Sequence, residues 1–239
     1  MIIGGLEKVS LIDYPGELAA IVFTQGCNFR CHFCYNPMLV WPNEVGELKY
    51  ERDHSTIIMN DLFDFLKLRV GKLDGVVVTG GEPTLHADLP EFLQQIKDLG
   101  YKIKLDSNGT NPEMLERVIE LDLVNYIAMD IKAPLEKYEQ VVGAPVNLEN
   151  IQKSIKIIKE SGLPYEFRTT LVPGLHQTED IAVMGEMIQG ADKWYLQFFK
   201  SDTDLVDRNL EAKEKFTEKE MTAMASIGKR YAKICDTRG

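Results

Sequence analysis

Short strand-like runs alternate with helical patterns along almost the whole chain. Leu89, Phe92, Leu93, Ile96 and Leu99 illustrate the helical spacing, because these apolar residues recur every three or four positions. Such alternation predicts an α/β protein in which helices cover a parallel sheet. Six runs are visible, two fewer than the eight strands of a closed barrel, so we predict a partial (β/α)6 barrel of parallel strands, with helices outside and one side open. The runs span residues 18–23, 75–79, 102–106, 126–131, 165–172 and 194–199.

Helix start signals agree with this pattern. Asn111 before Pro112, and Asn147 before an apolar residue, are typical of N-caps or first turns, as is Thr178 before two acidic residues. A last helix is predicted to begin at Thr217, where Thr217 and Glu220 have the spacing of a capping box. Its predicted buried residues are Met221, Met224, Ala225 and Gly228.

Length, charge and hydropathy narrow the class of protein. A chain of 239 residues with 44% hydrophobic residues can build one sizeable core, so we predict a single domain over residues 1–239. The formal net charge of -10, without a basic stripe, argues against nucleic acid as a partner. Without a signal peptide pattern or an 18-residue apolar run, the chain is expected to be cytoplasmic and to have no membrane partner.

Polar residues follow most of the predicted strands. GGEP follows the second run at 80–83, DSNG ends the third at 106–109, and DIK ends the fourth at 130–132. Arg168 and VPG (172–174) belong to the fifth run. Because ligands of parallel α/β folds bind at the carboxyl ends of the strands, these residues are expected to converge on one site.

Three of the four cysteines lie close together in QGCNFRCHFCYNP. Cys31 and Cys34 alone would suit a zinc knuckle or a redox turn. Structural zinc requires four ligands, and Cys235 lies 201 residues beyond Cys34 (235 - 34 = 201), with no second knuckle between them. Cys27, Cys31 and Cys34 can instead ligate three irons of a [4Fe–4S] cube, leaving one iron for a substrate or cofactor.

The cysteine spacing, followed by GGEP after the next strand, resembles the radical S-adenosylmethionine (SAM) superfamily. The stretch from GGLEKVSLIDYPG to CYNP, with DSNG, MDIKAP and VPG, is similar to activating enzymes of glycyl-radical enzymes, above all to the activase of anaerobic ribonucleoside-triphosphate reductase. The resemblance covers most of the chain and is weakest over the last 40 or so residues.

This resemblance implies roles for individual residues. Cys27, Cys31 and Cys34 would ligate one [4Fe–4S] cluster, and SAM would chelate its open iron. Glu82 would accept hydrogen bonds from the SAM ammonium, beside two glycines that let the backbone approach a ligand closely. Asp106 and Asp130 would hold a monovalent cation. The remaining predicted SAM-site residues are Phe33, Tyr35, Asn36, Gly80, Gly81, Pro83, Ser107, Asn108, Asp130, Lys132 and Arg168.

Simpler explanations exist for several of these residues. Phe33 and Tyr35 suit loop packing, GGEP and DSNG suit turns, and Asp130 with Lys132 suits an ion pair. An arginine in an apolar strand is rarely buried alone, so Arg168 is expected to bond SAM or a neighbouring carboxylate. Cys235 is predicted to be inert, and no role is predicted for His32, His54, His86 or His176.

The resemblance further implies an activity and its partners. A low-potential donor such as flavodoxin or ferredoxin would reduce the cluster, SAM would be cleaved to methionine and a 5'-deoxyadenosyl radical, and that radical would take hydrogen from a glycine of the reductase. The open side of the barrel would admit that glycine.

Three alternative functions remain open. The chain could be an activase of pyruvate formate-lyase or another glycyl-radical enzyme, a small-molecule radical SAM enzyme such as a deazapurine synthase, or a zinc-stabilised binding protein without catalysis.

Overall fold

The structure is a computed structural model that describes residues 1–41 and 56–239. His54 therefore lies outside the described residues. The strands are β1 (Ile3–Ser10), β2 (Ala19–Thr24), β3 (Gly75–Gly80), β4 (Lys102–Ser107), β5 (Tyr126–Asp130), β6 (Tyr165–Leu171), β7 (Ala191–Phe198) and β8 (Ala232–Arg238). The helices are α1 (Pro37–Val40), α2 (Met59–Arg69), α3 (Leu89–Asp98), α4 (Pro112–Glu120), α5 (Tyr138–Val142), α6 (Leu148–Glu160), α7 (Asp180–Met187) and α8 (Glu218–Gly228).

The strands follow one another in chain order in one mostly parallel sheet. β2 pairs with β3 and β3 with β4 in parallel, as do β6 with β7 and β7 with β8. The six predicted runs correspond to β2–β7, which confirms the α/β class. Two strands were missed, namely β1, which pairs antiparallel with β2, and β8 at the other end of the strand order.

The chain divides into two compact units. The first comprises Met1–Asn28, Met38–Ser107 and Glu113–Ile127. Its parallel strands β2 and β3 are buried on both faces, as is usual for strands of a parallel sheet. On one face, Ile21 and Val77 pack with Tyr14 and Tyr126, whose rings meet edge to face. The prediction of a single domain remains a prediction.

The second unit comprises Phe29–Pro37, Asn108–Pro112 and Ala128–Gly239. Its core is centred on Trp194, which is fully buried and donates its Nε1–H to the hydroxyl of Thr169 at 2.9 Å. α8 follows β7 along the chain and begins with the predicted capping box between Thr217 and Glu220. Its predicted core residues, Met221, Met224, Ala225 and Gly228, are all buried.

None of the helices within the described residues is long and apolar enough to span a bilayer.

Candidate active site

The cysteine loop of the second unit, residues 29–37, is held by backbone hydrogen bonds on two sides. The N–H of Arg30 donates to the carbonyl of Val142 at 2.8 Å. From the segment after β7, the N–H of Asp207 donates to the carbonyl of His32 at 2.9 Å and that of Val206 to the carbonyl of Cys34 at 3.0 Å. These bonds fix the path of the loop without using any of its side chains.

Cys31 and Cys34 lie at the two ends of a tight turn. The N–H of Cys34 donates to the carbonyl of Cys31 at 2.9 Å. Burial raises the pKa of Cys34, while a backbone hydrogen bond from Asn36 and the charge of Lys132 lower it. Asn36 thus contacts this thiol through its backbone. Thiolates are the ligands of iron–sulfur clusters, and a fixed cation offsets part of their negative charge, so these two residues fit the expected cluster.

Cys27 belongs to the first unit, whereas Cys31 and Cys34 belong to the second. Within the described residues, no group of three or more His, Cys, Asp or Glu side chains is arranged to hold a metal ion. Joint ligation by Cys27, Cys31 and Cys34 therefore remains a prediction.

Asp130, Lys132 and Arg168 form a partly buried charge cluster beside the cysteine loop. Nζ of Lys132 lies 2.9 Å from Oδ2 of Asp130, and Nε of Arg168 lies 2.8 Å from Oδ1. The three side chains are only 23%, 16% and 14% exposed. Burial would raise the pKa of Asp130, but Arg168 and Lys132 outweigh it and hold this pKa far below its usual range. The carboxylate is ionised throughout the neutral range.

This cluster contains the protein contacts that the simpler explanations predicted, and the predicted contacts of its residues with SAM remain predictions. Lys132 and Asp130 do form an ion pair, and Arg168 does bond a neighbouring carboxylate. Burial would lower the pKa of Lys132, yet Asp130, and after it Cys31, raise it. A permanently charged ammonium therefore lies close enough to Cys31 and Cys34 to act on both thiols.

The aromatic residues of the loop have different environments. Phe33 is 5% exposed, with the Lys132 ammonium 5.9 Å from its ring centroid and the His176 ring at 6.3 Å edge to face. Tyr35 is exposed, and the ammonium of Lys200 lies 5.2 Å from its ring centroid. The Phe33 side chain is thus a packing residue, whereas the Tyr35 ring is available to a ligand.

Two residues that sequence reasoning missed brace this cluster. The Nδ1 of His176 accepts the N–H of Val172 at 3.1 Å, so its Nε2–H donates to the carbonyl of Lys132 at 2.8 Å. Tyr138 is fully buried, and its hydroxyl accepts the N–H of Lys132 at 3.3 Å. No local pattern in the sequence indicates this brace, because His176 and Lys132 are 44 residues apart.

His176 predicts a pH dependence of stability. Burial lowers its pKa, although the hydrogen bond to Lys132 acts in the opposite direction. As the pH falls below about 6.5, the unfolded chain takes up a proton that the folded chain does not, so the free energy of unfolding should fall by up to roughly 1.4 kcal/mol per pH unit. We expect His176→Gln to reduce this slope in urea unfolding between pH 7 and 5. Equal slopes in the two proteins would contradict a buried neutral imidazole, because all other titrating groups are common to both.

In the first unit, Glu82 is buried at the end of β3 and is 1% exposed. Its Oε1 accepts the N–H of Thr84 at 3.1 Å and the hydroxyls of Thr84 and Ser107 at 2.5 Å and 2.9 Å. Pro83 is buried at the start of the 3-10 turn that follows. Ser107 donates its hydroxyl proton to Glu82, so in this arrangement it can only accept a hydrogen bond from a ligand. The predicted contacts of Glu82 and Ser107 with SAM remain predictions.

Gly80 and Gly81 have a structural reason that sequence reasoning missed. A Cβ on Gly81 would lie 2.1 Å from the carbonyl oxygen of Gly26. Gly80 has φ +119, and a Cβ there would lie 2.3 Å from the backbone nitrogen of Thr24. The N–H of Gly81 donates to the carbonyl of Thr24 at 2.8 Å. Close approach here is between two backbone segments, which accounts for both glycines without a ligand.

The remaining predicted residues already have protein partners. The Asn108 side chain accepts the N–H of Thr110 at 3.0 Å and its hydroxyl at 2.7 Å, as expected for a turn. Asp106 is paired with Lys104, and Asp130 with Lys132 and Arg168. Because protein cations already neutralise both carboxylates, the structure offers no support for the predicted monovalent cation.

Cys235 lies outside the cysteine loop. Burial raises the pKa of its thiol to about 12, in agreement with the prediction that it is inert.

An α/β protein with a mostly parallel sheet and a cysteine turn beside a buried cation has the features expected of an enzyme that holds a thiolate-ligated cofactor. Residues 21–186, more than half of the chain, match the family model of the radical SAM superfamily. The chain belongs to this superfamily, whose members use a [4Fe–4S] cluster and SAM.

The relatives place the chain among the glycyl-radical enzyme activating enzymes. A Methanocaldococcus jannaschii protein assigned to that group is 33% identical over 96% of this chain and 92% of its own length. The pyruvate formate-lyase-activating enzyme of Streptococcus mutans is 27% identical over 79% of this chain and 72% of its own.

A solved structure supports the fold. A domain of pyruvate-formate lyase-activating enzyme from Bacteroides vulgatus superposes with a TM-score of 0.55 and 20% identity, covering 69% of this chain and 99% of that domain. This likeness confirms the predicted open α/β architecture of a partial barrel.

Proposed function

We propose that this chain installs a glycyl radical on anaerobic ribonucleoside-triphosphate reductase. The observation that carries the proposal is the charge cluster of Asp130, Lys132 and Arg168 beside the turn of Cys31 and Cys34, in a chain of the glycyl-radical activase group. Such an enzyme must hold an anionic iron–sulfur cluster and the charged groups of SAM in a largely dry environment. The charge cluster supplies fixed charges there, and each of them is paired within the protein.

The chain would hold both cofactors through the residues already described. Cys27, Cys31 and Cys34 would ligate the cluster, which, when bound, supplies the electron that cleaves SAM to methionine and a 5'-deoxyadenosyl radical. Lys132 would remain protonated and balance the charge of the thiolates. Arg168 and Lys132 would hold Asp130 ionised, so that the carboxylate only accepts hydrogen bonds.

The remaining predicted contacts with SAM use backbone and short polar groups. The backbone around Phe33, Tyr35 and Asn36, and the exposed Tyr35 ring, would meet the adenine. Ser107 and Asn108 would bond the carboxylate or ribose, and Glu82 would bond the ammonium. No general acid or base is required, because abstraction of a hydrogen atom depends on proximity and not on a proton relay.

Pyruvate formate-lyase is a second candidate partner. The relative from Streptococcus mutans is named for activation of that enzyme, whereas the name of the archaeal relative specifies no partner. Either partner would require a low-potential electron donor, for which flavodoxin and ferredoxin are the candidates.

The deciding experiment offers both partners to the same preparation. Under strict anaerobiosis, the chain is reconstituted with iron and sulfide, reduced, and mixed with SAM and either the reductase or the lyase of the same organism. We expect the doublet of a glycyl radical in the electron paramagnetic resonance spectrum of the reductase and formation of 5'-deoxyadenosine. A radical on the lyase alone would transfer the proposal to the second partner.

Two further outcomes would overturn the proposal. Formation of 5'-deoxyadenosine with neither partner radicalised would favour a small-molecule substrate. Bound zinc in place of iron, with no visible absorption, would favour a structural site. Omission of SAM is the matched control in every reaction.

A further inference from the structure

The sheet of the second unit has one face that is unusual for parallel strands. Parallel strands are normally apolar on both sides, because helices cover both faces. In β6, β7 and β8, one face is apolar and buried, with Phe167, Trp194, Leu196 and Cys235. The opposite face, here named the polar face, alternates with it and consists of Glu166, Arg168, Thr170, Lys193, Tyr195, Gln197, Ile234, Asp236 and Arg238.

The strand register orders the polar face in rows. Arg168 pairs with Tyr195, and Tyr195 with Asp236. Two residues further along, Thr170 pairs with Gln197, and Gln197 with Arg238. This last row, Thr170–Gln197–Arg238, lies at the carboxyl ends of the three strands, where parallel α/β folds bind their ligands.

Most charges of the polar face are already compensated. Arg238 reaches over Tyr195, with its guanidinium carbon 3.6 Å from the ring centroid, and bonds both carboxylate oxygens of Glu166 at 3.0 Å and 3.3 Å. Arg168 is paired with Asp130. The face therefore presents little uncompensated charge, which does not suit a phosphate or another strong anion.

Hydrogen-bonding capacity nevertheless remains at the carboxyl ends. The side chains of Thr170 and Gln197 are partly exposed, and neither forms a side-chain hydrogen bond with another residue in the described parts of the chain. Arg238 uses two of its five N–H donors on Glu166. The side-chain amide of Gln197 and the hydroxyl of Thr170 lie side by side and can both donate and accept hydrogen bonds without carrying charge. They are therefore complementary to a peptide main chain, which also presents uncharged donors and acceptors.

The polar face is continuous with the candidate active site through Arg168. This side chain belongs to the face by register and bonds Asp130, which lies with Lys132 beside Cys31 and Cys34. A ligand on the Thr170–Gln197–Arg238 row would therefore lie next to the charge cluster. All of these residues belong to the second unit.

From this arrangement we infer that the Thr170–Gln197–Arg238 row binds the main chain of the glycine-bearing segment of the partner enzyme, an inference that rests on the proposed function. A glycine has no side chain to recognise, so the peptide groups on either side are the nearest polar groups that an enzyme can bond. The amide of Gln197 and the hydroxyl of Thr170 bond one peptide group each. Arg238 donates to a carbonyl while Glu166 holds its guanidinium in place.

The test separates binding of the peptide from cleavage of SAM. The probe is a synthetic peptide that spans the glycine segment of the partner activated by the wild-type chain, deuterated at Cα of that glycine. One electron from dithionite breaks the C5'–S bond of SAM and releases methionine; the C5' carbon then takes deuterium from the peptide, giving deuterated 5'-deoxyadenosine and one unpaired electron on Cα. Deuterium in the product thus reports productive binding, and undeuterated product reports cleavage alone.

Gln197→Met and Thr170→Val remove the polar atoms at nearly constant volume. We expect each to raise the KM for the peptide by roughly 2- to 12-fold, as one net hydrogen bond implies, and the double variant to raise it further. Cleavage of SAM without peptide, the KM for SAM and the iron content should match wild type. Gln152→Met and Thr222→Val, at exposed positions of α6 and α8, are the matched controls and should change nothing.

Two results would overturn the inference while leaving the proposed function intact. A raised KM for SAM with an unchanged KM for the peptide would assign the row to the cofactor. Unchanged values for both would show that the row binds neither. If the wild-type chain itself radicalises no partner, the proposed function fails first, and the inference fails with it.

Discussion

Replacing Cys31 with alanine is expected to abolish cleavage of SAM, to the level of a reaction without enzyme. Cys31 is buried, and its thiol lies at one end of the turn that the N–H of Cys34 closes at 2.9 Å. With alanine at this position only two of the three expected thiolates would remain, so one iron of the expected cluster would lack its protein ligand, and the potential and stability of such a cluster depend on that ligation. The measurement is iron per chain, visible absorption and 5'-deoxyadenosine after anaerobic reconstitution.

Cys235→Ala is the matched control for Cys31→Ala. Cys235 is also buried but lies in β8, against the backbone of Gly228 in α8. Its loss removes one thiol of the same chain without touching the cysteine loop, so iron content and product should stay at the wild-type level. Iron and product that persist in Cys31→Ala would show that the trio does not ligate the cluster.

Asp130→Asn is expected to lower the free energy of unfolding by roughly 3 kcal/mol at neutral pH. The carboxylate is bonded by Lys132 and Arg168 at 2.9 Å and 2.8 Å, and the amide leaves two largely buried cations without their counter-charge. Urea unfolding at pH 7 measures the loss. Because Arg168 and Lys132 hold the pKa of Asp130 far below its usual range, its contribution is complete above about pH 4 and is lost as the pH falls further. The difference between the two proteins should therefore shrink in acid.

A surface ion pair provides the comparison. Asp64 and Lys67 lie 3.2 Å apart, but their side chains are 69% and 60% exposed, so Asp64→Asn should cost less than about 1 kcal/mol. If Asp130→Asn cost no more than Asp64→Asn, the charge cluster would be solvated and would contribute little to the fold.

Local patterns predicted most of the fold. The runs that became β2–β7 are short, β-branched and buried, and the capping box of α8 depends on two residues three positions apart. Signals of this kind are local, so they can be read without knowing the neighbours. β1 and β8 were missed because their exposed and charged residues dilute the apolar pattern, as is common where a strand has only one strand neighbour.

The candidate site was predictable in its residue types but not in its contacts. Cys27, Cys31 and Cys34 were singled out by their spacing, and GGEP and DIK by their positions at the ends of predicted strands. The brace formed by His176, which lies 44 residues from Lys132, carries no local signal. Gly81 was interpreted as facing a ligand, yet its missing side chain makes room for the carbonyl of Gly26.

The sequence by itself determined the α/β class, the radical SAM family and the identity of the residues at the strand ends, because periodicity and motif spacing are properties of neighbouring positions. Only the tertiary structure decided which charges are paired. Arg168 bonds Asp130 across 38 residues of chain, and Arg238 bonds Glu166 across 72. Burial makes such pairing obligatory, since a desolvated charge without a partner is costly, but which partner is chosen depends on the register of strands distant in sequence.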